Sequence, residues 1–92
     1  MPLFAFPGEP RWQEETEEVE FDVEVGEYRG VVRIARRVFH DLAGFRPTPE
    51  QCIEYFHLHR TEFERAAQVK IVARDLTEDG NLRLTGRDLR RI

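Results

Sequence analysis

His59, Arg60, Glu62 and Lys70 fall close together in the segment "FHLHRTEFERAAQVK", and their types suit the capture of a small anion. A guanidinium and an ammonium would hold the charge, beside an imidazole and a carboxylate. A second set of candidates comes earlier in the chain: Glu18, Glu20, Asp22 and Glu24 take every second position of "EVEFDVEV". Carboxylates in such a row are the material of a divalent-ion site or of acid–base chemistry, provided that something brings them to one point.

The element that positions the acids is a β-hairpin. Gly26-Glu27 suits a two-residue turn with glycine at its first central position. Closing the chain there sets Val25 opposite Tyr28, Val23 opposite Gly30, Phe21 opposite Val32 and Val19 opposite Ile34, so one surface is apolar or glycine throughout. The other surface pairs Glu24 with Arg29 and Glu20 with Arg33. A slip of one residue would scramble both faces, so turn and pattern specify the same register independently. The acid row is therefore expected to be a solvated sheet face, where arginine neighbours replace the cleft or convergence that chemistry needs.

The second set needs a helix. Thr48 can cap it, Pro49 fits its first position and Glu50 favours its positive end, and the pattern predicts a helix from there to Leu76. Projected at 100° per residue, Cys52, Phe56, His59, Phe63, Ala66, Ala67 and Lys70 share one stripe. Tyr55, Leu58 and Val69 widen it beyond what a sheet-packing helix needs, so either the preceding helix or a second subunit must cover the excess. A histidine on an apolar stripe is more often a hydrogen-bonded core residue than a base, and a lysine more often runs its stem along the core edge. Against those structural readings stands the pocket, in which His59, Glu62 and Lys70, with Arg60 alongside, bind a small anion between helix and sheet.

Metal and cofactor chemistry find little support. His57 and His59 point nearly opposite ways on a helix, and Glu54 with His57 supplies only half of a di-iron carboxylate pattern. Cys52, the one cysteine, excludes an internal disulfide and a thiolate zinc site, and its place on the apolar face reads as packing. Phosphate loop, nucleophile elbow and dinucleotide glycine pattern are all absent from the sequence, so no catalytic residue, cofactor or metal is expected.

Around these two elements the chain offers short pieces. "LFAFPGEPRW" reads as an extended segment at a sheet edge, with Trp12 in the core. "RIARRVFHDLAG" carries Ile34, Ala35, Val38, Phe39 and Leu42 at helical spacing and ends at Gly44. "TEDGNLRLT" turns at Asp79-Gly80 into a strand with Leu82 and Leu84 inward, and Thr85 can cap a last helical turn. The predicted fold is α+β in a single domain, residues 1–92: an antiparallel β-sheet with two α-helices packed on one face, in the order β-β-β-α-α-β.

At 92 residues with 35 % charged side chains and a net −4, the chain should fold as one small soluble domain, whose core a homodimer would enlarge. "MPLFAF" lacks a basic flank and is broken by Pro7, which excludes it as a signal peptide or spanning helix and points to the cytoplasm. Residues 1–34 hold nine acids against three arginines, which argues against broad nucleic-acid binding. Only the arginine tail, Arg83, Arg87, Arg90 and Arg91, together with Arg36 and Arg37, leaves a nucleic-acid-associated regulator open.

Phe6-Pro7, Trp12, the strand "VEF", Gly26, the helix "FHLHRTEFERAAQVK", then "DG" and "LTGRDL" together resemble the bacterial domain of unknown function 1488 (DUF1488) family, over nearly the full chain. Its helix pattern is matched by Phe56, Arg60, Phe63, Glu64, Ala67 and Lys70, with His59 where asparagine is usual. The resemblance implies a small α+β bacterial cytosolic protein and no particular activity, and it adds weight to Arg60 and Lys70. The leading expectation is a non-enzymatic accessory or protein-interaction domain, as a homodimer or with a protein partner.

Overall fold

The computed structural model describes residues 3–90. In chain order these form β1 (Phe4–Ala5), β2 (Arg11–Gln13), β3 (Glu18–Val25), β4 (Tyr28–Ala35), α1 (Arg36–Ala43), α2 (Pro49–Leu58), α3 (Arg60–Val72), β5 (Leu82–Leu84) and α4 (Gly86–Arg90). The β3–β4 hairpin has the register that the turn and the alternation predict, from Val25 opposite Tyr28 to Val19 opposite Ile34. Gly26 takes a φ of 58°, as a primed hairpin turn requires of its first central residue. Gly30 has a different reason: the Tyr28 ring lies across it, a side chain there would collide with the phenol, and the Tyr28 hydroxyl donates to Gly80 O at 2.8 Å.

The hairpin carries the rest of a five-stranded sheet. β1 and β2 both pair antiparallel with the outer edge of β3, one beside Glu24–Val25 and the other beside Glu18–Glu20, with Pro7, Gly8 and Pro10 between them. On the far side β5 runs parallel to β4, Ile34 beside Leu84. The α+β class stands, but the sheet is mixed rather than wholly antiparallel. Parallel neighbours need a long crossover, and α1, α2 and α3 provide it, returning the chain to the starting end of β4.

Two further boundaries differ from the sequence pattern. Ile34 and Ala35 complete β4, and α1 starts only at Arg36, because Ile34 is required opposite Val19. The helix predicted from Pro49 to Leu76 is broken at His59 and ends at Val72. A straight helix from Pro49 to Val72 would be about 36 Å long, and an eight-residue strand such as β3 spans only about 27 Å. The break lets both halves stay over the sheet. Thr48 does cap α2, through a reciprocal pair in which Gln51 N donates to Thr48 Oγ1 at 3.1 Å and Thr48 N donates to Gln51 Oε1 at 2.9 Å.

The core lies between the helices and one face of the sheet. Val19, Phe21, Val23, Val32, Ile34, Leu82 and Leu84 meet Val38 and Phe39 of α1, Cys52 and Phe56 of α2, and Phe63, Ala66 and Ala67 of α3. Phe56 stacks on Phe63 with ring centroids 5.4 Å apart and touches Phe21 at 4.7 Å, so one aromatic cluster ties both helices to β3.

The opposite face corrects the expectation of an evenly wet acid row. Glu18 and Glu20 are only 4 % and 9 % exposed. Glu20 accepts hydrogen bonds from Gln13 at 2.9 Å and Arg33 at 2.8 Å and has Arg11 at 3.6 Å, while Glu18 is paired with Arg83. Arginines from β2, β4 and β5 fold down over these two carboxylates and bury them. No buried side-chain nitrogen or oxygen among the described residues lacks a partner, so the row is a satisfied network that joins β2, β3, β4 and β5.

Candidate functional site

His59 is the hinge between α2 and α3. Its backbone, at φ −120° and ψ 28°, donates its N–H to Tyr55 O and accepts from the N–H groups of Glu62 and Phe63, closing one helix and opening the next. Its ring packs on Tyr55 with centroids 4.4 Å apart, and Nδ1 lies 3.5 Å from Glu62 at the surface. Tyr55 is itself covered from the other side by Phe39 of α1, so the first helix takes up part of the wide apolar arc.

Arg60 and Lys70 act at opposite ends of α3, about 15 Å apart along its axis. The Arg60 guanidinium donates to Glu64 at 2.8 Å, lies over the Phe56 ring, and reaches Phe6 O at 3.3 Å and Gly8 O at 3.5 Å. It thereby straps down the connection between β1 and β2. Lys70 Nζ donates to Arg83 O at 2.7 Å and Asp88 at 3.1 Å, with Asp75 at 3.8 Å, and so ties α3 to β5 and α4. Of the four residues singled out by type, His59 and Glu62 are therefore neighbours. Arg60 and Lys70 are each engaged elsewhere in the scaffold.

Two carboxylates at this C-terminal end are tuned by their partners. Burial pushes the Asp88 carboxyl up, but the Thr85 N–H, the Lys70 ammonium and the Thr85 hydroxyl together outweigh it and hold it below the usual range. The Thr77 hydroxyl and Asn81 pull Asp79 down to about 2, fixing the turn from which Asn81 Oδ1 accepts the Val31 N–H at 2.9 Å. Burial pushes the Cys52 thiol up, which makes it a poor nucleophile. Among the described residues no three His, Cys, Asp or Glu side chains are grouped as metal ligands.

The arginine tail and the Arg36–Arg37 pair, grouped by residue type in the sequence, meet in space through Arg37. One cleft of about 370 Å³ lies beside Thr16 and Glu17, at the start of α1, and is lined by Arg36, Arg37, His40 and Arg46. Arg36 is occupied there, donating to Glu17 at 2.7 Å and to Pro47 O at 2.8 Å. A second cleft of about 270 Å³, between α1 and the β5–α4 segment, shares Arg37 with the first and adds Arg83, Arg87 and Arg90. The parallel placement of β5 causes this meeting, a geometry that the sequence pattern did not contain. Arg91 lies outside the described residues.

A family model described as "Protein of unknown function (DUF1488)" matches residues 5–84. The chain belongs to the DUF1488 family. A DUF1488 protein of unknown function from Shewanella loihica PV-4, solved as a crystal structure, superposes with a TM-score of 0.80 at 18 % identity, over 88 % of this chain and 90 % of that one. That likeness shows a shared fold. No curated protein matches the chain. The matched DUF1488 span includes His59, Arg60, Glu62 and Lys70 and ends at Leu84, before Asp88, Arg87 and Arg90.

Proposed function

We propose that this DUF1488 protein is a non-enzymatic interaction module of the bacterial cytoplasm, docking a protein partner, and first of all a second copy of itself, through the outer side of α3. One observation carries the reading: Val69 and Val72, one turn apart on that helix, stay 50 % and 72 % exposed. Leu58 at the end of α2 and Leu76 beyond α3 are exposed as well. Apolar side chains grouped on an outer helix surface favour a partner surface over water. The polar residues that could have made α3 a reactive helix support the same reading, since Arg60 and Lys70 are bonded to the chain segments on either side. The Shewanella neighbour supports a bacterial setting.

Light scattering over a wide range of protein concentration tests this. The expected result is a concentration-dependent dimer that Val69→Glu with Val72→Glu turns into a monomer of unchanged thermal midpoint. A monodisperse monomer at every concentration would remove self-association, and fractionation of source cells checks the compartment.

A further inference from the structure

The cleft between α1 and the β5–α4 segment runs against the charge of the molecule. The chain carries a net −4, yet Arg37, Arg83, Arg87 and Arg90 line this one space with Asp41 as the single acid among its lining side chains. Arg83 is neutralised by Glu18, and Arg90 turns its Nε onto Gly86 O at 3.3 Å. Arg37 and Arg87 have no ion-pair partner among the described residues, in contrast to Arg11, Arg29, Arg33, Arg36 and Arg60. With Arg83 neutralised and Asp41 the one carboxylate in the lining, Arg37, Arg87 and Arg90 leave the cleft a net positive charge, and an anion that enters relieves their mutual repulsion.

The ligand chemistry follows from the donors and the size. Guanidinium forks match phosphate oxygens in a bidentate manner and hold them with charge-assisted hydrogen bonds. A volume of about 270 Å³ falls just under the usual range of ligand pockets, room for a phosphate and a small carrier. A nucleic-acid strand is the poorer fit, because no Phe, Tyr or Trp side chain lines this cleft or its neighbour to stack a base. We propose that this cleft binds a small phosphorylated ligand, with Arg37 and Arg87 holding the phosphate and Arg90 at the rim. The site is separate from the outer side of α3 and stands independently of the docking reading.

Titration of the isotope-labelled full chain with inorganic pyrophosphate at constant ionic strength, followed by amide and arginine side-chain NMR signals, tests it. Saturable shifts are expected at Arg37 and across Thr85–Arg90, about tenfold weaker in binding when Arg37→Gln and Arg87→Gln are combined. Asp41→Asn should tighten binding, which keeps the test decisive if the double variant folds poorly. Shifts that fail to saturate, that sodium chloride reproduces, or that the substitutions leave unchanged overturn the proposal. So does a short oligothymidine that outcompetes pyrophosphate and shifts residues of both clefts, because the groove would then be a nucleic-acid track.

Discussion

The two ends of α3 use the same device at different strengths. At the N-terminal end Arg60 reaches two backbone carbonyls at 3.3 and 3.5 Å, with its side chain 32 % exposed. At the C-terminal end Lys70 is 15 % exposed and reaches its carbonyl at 2.7 Å, with a carboxylate at 3.1 Å. Each cation fastens a segment distant in sequence to the same helix, but the first closes over the connection between β1 and β2 and the second over the strand that completes the sheet. A cation on a helix can thus be part of the scaffold, and the bonds it makes to backbone carbonyls are what distinguish it from one waiting for a ligand.

Breaking the stronger end should cost most. Lys70→Met leaves Arg83 O and Asp88 without their cation, and a loss of about 2 kcal/mol is expected, a fall of roughly 8–16 °C in thermal midpoint. A rise instead would mean that the fold holds a desolvated charge at its own cost, the mark of a working residue rather than an anchor. Arg60→Gln should cost about 1 kcal/mol, with faster hydrogen exchange confined to β1 and the Phe6–Pro10 connection. Equal losses at both ends would erase the contrast.

Acid gives a finer separation. The Asp88 carboxyl sits below its unfolded value, so its stabilisation is present above that value, about pH 4, and is lost as pH falls toward the folded one. Urea midpoints of the parent and Asp88→Asn should therefore differ at neutral pH and converge below about pH 4. A gap that persists in acid would assign the Asp88 contribution to shape rather than charge.

The hairpin was legible in full because two independent constraints, a glycine turn and strict alternation, agree on one register. The start of α2 was legible for a similar reason, as Thr48 and Pro49 both mark it. The break at His59 was not, since neither proline nor glycine stands there, and the constraint it meets, a straight helix longer than the strands beneath it, belongs to the assembled fold. Nor was the direction of β5: three residues carry no directional signal, which comes from the helices before them. The burial of Glu18 and Glu20 depends on Arg11 and Arg83, from strands whose places only the fold decides. The charge pairs within the hairpin could be read locally, and those from outside it could not.

The interrupted edge of β3 has a consequence for how copies of this chain can meet. A long open strand is a template on which another chain can add its own, the first step toward fibres. Here one edge is split into β1 and β2 around Pro7 and Pro10, which lack an amide hydrogen, and the other is the three-residue β5. Neither edge offers an unbroken ladder to a neighbour. The sheet is closed to growth at both sides, and association between molecules is left to side chains.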